Sequence, residues 1–158
     1  MSLTNFERML QLADEIFDTK SDPEQLDVNE DVLNRLKQLH PASVTEKANE
    51  NGPIAWILLI PTTRKLMESF LSGEISEKEL FYLTHPGTQF DCIYLCSAMV
   101  LSEFRKKGIT TDLTTVAIMN ISQTHKIEAL FVWAFSEEGK LSAQKIAAQL
   151  NLPLFEKL

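Results

Sequence analysis

Apolar positions recur every three or four residues near the start of the chain. Phe6, Met9, Leu10, Ala13, Ile16 and Phe17 fall on one face, which predicts a helix over 3–17. Thr4 followed by Glu7 supplies a capping box at its start. Asp22, Pro23 and Glu24 break the pattern, and a second amphipathic helix is predicted over 30–39, capped by Asn29, with Val32, Leu33, Leu36 and Leu39 inward. It stops at His40 and Pro41. The stretch 41–52 carries Pro, Ser, Thr, Asn and Gly among few apolar residues, and it reads as a surface connection.

The period then changes. Residues 53–61 are almost continuously apolar, as in a strand covered on both faces. Helical spacing returns over 62–84 in two pieces: first Leu66, Phe70 and Leu71, then, past Gly73, a segment opened by Ser76 and Glu79 that carries Leu80, Phe81 and Leu83. His85, Pro86 and Gly87 form a turn, and 90–101 is a second interior strand. A helix over 107–122 presents Ile109, Leu113, Val116, Ala117 and Ile121. A strand at 128–135 follows, then a helix at 138–150 whose turns are marked by Leu141, Lys145 and Ala148, and a short edge strand within 151–157.

Two helices followed by strands that alternate with helices predict an α+β, layered α/β architecture: a mixed, partly parallel sheet with helices on both faces. One domain is expected over 1–158, with 1–52 as N-terminal helices and loop and 53–158 as the sheet-forming region.

Charge narrows the partners. The 158 residues carry 15 Lys and Arg against 22 Asp and Glu, a formal charge of -7, and no long basic stripe that would hold a nucleic acid against that field. Apolar runs such as 54–60 are far shorter than the roughly 18–20 residues that cross a bilayer, and no signal pattern opens the chain, so a cytoplasmic protein is expected. Cys92 and Cys96 share strand parity in an apolar stretch and read as buried free thiols; His40, His85 and His125 are scattered without metal-ligand spacing, so no metal site is expected. Trp56 and Trp133 read as core. The acidic Asp27, Glu30 and Asp31 read as a helix start that could also attract a cationic amine.

The chemistry concentrates at 98–111. A buried strand, a short turn containing Gly108 and an amphipathic helix follow one another directly, so backbone N–H groups converge at the helix start. A helix dipole favours acidic residues there, yet Arg105, Lys106 and Lys107 crowd the position, an arrangement that an anion such as phosphate would neutralise. Glu103 is a candidate base, or a solvent-exposed salt partner of Arg105.

These residues resemble the GNAT superfamily of acyl-CoA-dependent N-acyltransferases. The family's pyrophosphate signature is Gln or Arg, two residues, Gly, one residue, then Gly or Ala; Arg105, Gly108 and Thr110 occupy those places, after the strand that ends Met99-Val100-Leu101. Ser102-Glu103-Phe104 is similar to the family's Pro-acidic-aromatic run, and the order of helix, strand, helix and terminal strand also matches over 90–158. The resemblance implies a partly splayed mixed sheet. It also implies acetyl-CoA or another acyl-CoA as co-substrate, held by Met99, Val100 and Leu101 along the pantetheine and by Arg105, Lys106, Lys107, Gly108, Ile109, Thr110 and Thr111 around the pyrophosphate. The acceptor would be the amine of a small molecule or a protein, with Glu103 as the catalytic candidate; a homodimer is compatible with this. Thr110 stands where the family keeps Gly or Ala, Ala147 where it often places a Tyr that protonates the departing thiolate, and 62–84 is helical where it usually has a strand hairpin. The alternative is a GNAT-like binding or interaction module that has lost CoA-dependent catalysis.

Overall fold

The computed structural model describes residues 3–19, 29–134 and 136–158, and side chains outside 16–19 within them. The side chains of Ile16 and Phe17, together with Asp22, Pro23, Glu24, Asp27 and Phe135, lie outside the described residues. Five strands form one sheet in chain order: β1 (Val44–Asn49), β2 (Gly52–Thr62), β3 (Cys92–Val100), β4 (Ala129–Val132) and β5 (Leu154–Glu156). The described helices are α1 (Asn5–Thr19), α2 (Glu30–Leu39), α3 (Arg64–Leu71), α4 (Glu77–Leu83), α5 (Ile109–Ser122) and α6 (Glu137–Leu150). The sheet is antiparallel from β1 to β3 and parallel from β3 to β5. Parallel neighbours need a crossover, and α5 and α6 supply the two.

Alternation along the strands divides the interior in two. Leu58, Ile60, Tyr94 and Phe131 face a core built with Met9 of α1, Val32, Leu36 and Leu39 of α2, Met67 and Phe70 of α3, and Leu80 and Phe81 of α4. Ile57, Leu59, Ile93 and Leu130 face the other way, onto Ala117, Ile118 and Ile121 of α5 and Ile146 and Ala147 of α6. The α+β layering expected from the alternation of elements is therefore present, with helices on both faces.

Local rules explain the helix starts. Thr4 and Glu7 exchange the bonds of a capping box, with Glu7 N–H donating to Thr4 Oγ1 at 3.1 Å, and Ser76 and Glu79 do the same at α4. Asn29 caps α2, its Oδ1 accepting from Val32 N–H at 2.9 Å. The two short helices expected in 62–84 are α3 and α4.

Three expectations are corrected. The stretch 41–52 is not a bare connection: it holds a 3-10 turn (Pro41–Ser43) and the edge strand β1, whose polar side chains from Glu46 to Asn49 are exposed while its backbone pairs with β2. Phe6 and Leu10 of α1 and Val116 of α5 are exposed rather than inward; α5 buries Thr114, Ala117, Ile118 and Ile121 instead. In α6 the inward face is Ala143, Ile146 and Ala147, while Leu141, Lys145 and Ala148, which mark its turns in the sequence, point outward. Trp56 is half-buried, its indole N–H donating to Glu46 Oε1 at 2.8 Å, and Trp133 lies just past β4 rather than within it.

Two polar features inside the fold generate predictions. The Tyr94 hydroxyl donates to Glu77 Oε2 at 2.5 Å in a buried setting, and burial together with that carboxylate pushes the phenol well above its ordinary range. Tyr94→Phe deprives a buried carboxylate of a donor and is expected to cost about 1–3 kcal/mol in urea unfolding; a loss under about 0.5 kcal/mol contradicts the pairing. The second feature is His40, whose Nδ1 accepts from Ala42 N–H at 3.0 Å and whose ring lies 6.1 Å from that of His125. Burial first, and His125 second, lower its pKa. The unfolded chain then takes up the proton first, so the contribution is complete above about pH 6.5 and is lost as pH falls below it. Stability should fall as the pH is lowered below about 6.5, and fall less in His40→Asn, whose amide oxygen keeps the cap without titrating. Equal slopes in the two proteins contradict this.

Candidate functional site: the cleft where two strands part

Strand β3 pairs with β2 along its whole length, but with β4 only through Cys92–Tyr94 opposite Ala129–Phe131. It then runs on for six residues to Val100 with no strand partner on that side among the described residues. The parting begins beside a bulge: Leu58 pairs with Ser97 and Leu59 with Leu95, which leaves Cys96 as the extra residue on β3. A cleft of about 440 Å³ opens between the diverging strands. Its floor is apolar, including Ile57, Leu59, Leu95, Val132, Ala143 and Ile146, and Trp133 stands in its wall.

The basic turn closes the mouth. After the 3-10 turn Ser102–Phe104, Lys106 takes φ 63 and Gly108 takes φ 74, both left-handed, and α5 begins at Ile109. Holding a lysine there costs about 1–3 kcal/mol, which the surrounding structure must offset. Gly108 is the N-cap residue and has no side chain with which to cap. The amides from Lys106 to Thr111 donate to no acceptor among the described residues, so a set of N–H dipoles is left facing the cleft mouth. The second helix start at the cleft is different: Ser136 Oγ accepts from Gly139 N–H at 3.0 Å, and Glu137 and Glu138 occupy the first turn of α6. The first turn of α5 carries one acid, Asp112, and no side-chain cap, against two acids and a serine cap at α6, so an anion is better received at α5 than at α6.

The structure sorts the expected residues. Val100, Arg105, Lys106, Gly108, Thr110 and Thr111 line the cleft together. Met99 and Leu101 turn their side chains into the core shared with α1 to α4, Ile109 packs against that core, and Lys107 lies over the Phe104 ring at 5.9 Å. Glu103 stands outside the cleft. Its partner is not Arg105 but Arg8 of α1, which holds it through both terminal nitrogens, one at 2.8 Å, and depresses its carboxyl to about 2. Such a carboxylate is a weak proton acceptor.

Sequence reasoning missed the opposite wall: Ser97 and Ala98 on β3, Trp133, Ala134 and Ser136 past β4, and Ser142, Ala143 and Ile146 on α6. Ser142 Oγ and Thr111 Oγ1 lie 2.9 Å apart and join α5 to α6. The small residues of this wall, with Gly139, were the available signal. Ala147 is buried in the core behind the cleft. The titratable side chains that line the cleft are Cys96, Arg105, Lys106 and Glu138, and no group of three or more His, Cys, Asp or Glu among the described residues could hold a metal. No described helix is long and apolar enough to cross a membrane.

No protein-family model matches the chain, and no curated protein matches its sequence. The geometry of the cleft therefore has to carry the functional reading alone.

The two cysteines give that geometry a direct test. Cys92 is fully buried and its thiol is pushed up to about 12, chiefly by burial, whereas Cys96, also buried, keeps 9% of its surface and lines the cleft. Iodoacetamide should alkylate Cys96 well before Cys92 in the folded protein, as read by peptide mass spectrometry. Simultaneous labelling, or labelling of Cys92 first, would mean that the strands do not part where they are drawn.

Proposed function

We propose that the cleft seats an acyl-CoA and that the protein is an acyl-CoA-dependent N-acyltransferase of GNAT type. One observation carries the reading: the open edge of β3 and the uncapped, basic start of α5 meet in one cleft. An extended chain bearing amides at one end and phosphates at the other suits both halves. The pantetheine amides pair with the free edge of Leu95–Val100, as an added strand would. The pyrophosphate takes the amides of Lys106–Thr111, with Arg105 and Lys106 adding charge. Thr110 is half-buried at this seat, and its hydroxyl is a further donor to an anion.

The chemistry that follows is direct transfer. A backbone N–H near the Cys96 bulge polarises the thioester carbonyl, and the neutral amine of a small molecule or a protein attacks it. A C–N bond forms and the C–S bond breaks; the amine proton passes to water and the CoA thiolate departs. A thiolate with an ordinary pKa near 8.5 leaves without a protein acid. That matters here, because among the described residues no carboxylic acid, histidine or tyrosine lines the floor of the cleft.

The same feature favours one second reading, a module that binds acyl-CoA and does not turn it over. Release of free CoA thiol across a panel of amines separates the two.

Calorimetric titration with acetyl-CoA tests the seat itself. Micromolar binding is expected, and Thr110→Glu should weaken it at least about tenfold while leaving the melting temperature unchanged or raised, because an acid in the first turn suits the helix and repels phosphate. No heat with the wild type at millimolar ligand, or equal affinity in the variant, contradicts the reading.

A further inference from the structure

The two helix starts at the cleft mouth are joined by an ion pair. Arg105 Nη2 lies 3.7 Å from Glu138 Oε2, and both side chains are more than half exposed. Arg105 belongs to the loop that leads into α5, Glu138 to the first turn of α6, and both line the cleft. The pair therefore bridges the two helix starts at the mouth of the cleft.

We infer that Glu138 acts as an internal competitor for Arg105: its carboxylate holds the guanidinium in the empty cleft, and an incoming phosphate displaces it. The inference rests on the acyl-CoA reading of the cleft and adds a positioning residue to it, since Glu138 acts through Arg105 rather than on the ligand. Three observations support it. The Arg105 side chain has this one described ionic partner, whereas the exposed carboxylate of Glu103 two residues away is engaged by Arg8. Glu138 is not needed as a cap, because Ser136 fills that role at α6. An exposed pair at this separation is weak, so a pyrophosphate carrying two charges, placed against Arg105 and the free amides of Lys106–Thr111, replaces it readily.

Weakness also sets the size of the effect. Exposed ion pairs correspond to a factor of about two to five in an equilibrium constant. The experiment is a double-mutant cycle of wild type, Glu138→Gln, Arg105→Gln and the double variant, each titrated calorimetrically with CoA and, separately, with inorganic pyrophosphate. Glu138→Gln should bind CoA about two- to five-fold more tightly than wild type. Arg105→Gln should bind more weakly, and in that background Glu138→Gln should bring no further gain. An equal gain in both backgrounds overturns the inference, because Glu138 would then act only by repelling the ligand. No gain in either also overturns it. If CoA gives no heat with any of the four proteins but pyrophosphate gives the expected pattern, the acyl-CoA reading fails and the competition stands. Silence with both ligands overturns both.

Discussion

Strand β3 has two edges, and only one of them is satisfied along its length. Its antiparallel ladder with β2 runs from Cys92 to Val100, whereas its parallel ladder with β4 stops after Tyr94. Backbone amides and carbonyls are costly to leave unpaired away from water, so a strand whose second edge is free must border solvent or a ligand. The rest of the site follows from this. The cleft exists because β4 turns away; its floor is apolar because the residues beneath it belong to the core between the sheet and α5 and α6. The basic turn sits at the mouth because β3 delivers the chain there directly.

The electrostatics of the mouth are asymmetric. At α5, a left-handed lysine, a left-handed glycine and three consecutive cations surround amides that no side chain caps. At α6, a serine cap and two acids complete the helix in the ordinary way. Asp112 supplies an acid in the first turn of α5, but no side chain caps the helix start, and a bound anion can accept from the amides left over. Along β3 the cleft is different again, lined by Leu95, Cys96, Ser97 and Ala98 with no acid or imidazole in that stretch. Positioning and backbone dipoles are what such a site can offer a reacting carbonyl.

Much of this was legible in the sequence, and the exceptions have physical causes. Continuous apolar runs marked β2 and β3, capping residues marked α1, α2 and α4, and the misplaced cations marked the start of α5. The strand β1 escaped because an exposed edge strand carries no apolar alternation; its backbone ladder with β2, not its side chains, makes it a strand. The inward face of α6 escaped because Ala143 and Ala147 are small while the larger Leu141 points to solvent. The bulge at Cys96 leaves no compositional trace, and the partner of Glu103 is Arg8, 95 positions away. Half of the cleft was therefore read from one contiguous segment, and the other half depends on how α6 packs beside β4, which pattern does not encode.

A single seat formed by the β3 edge and the α5 start is most directly tested by amide hydrogen exchange with and without saturating acetyl-CoA, resolved to single residues by NMR. Bound ligand should slow exchange at alternate residues within 95–100 and across 106–111 in the same titration, leaving the β1–β2 hairpin unchanged. Protection of one segment without the other, or of neither while the ligand is bound, would contradict a shared seat and place the ligand elsewhere on the molecule.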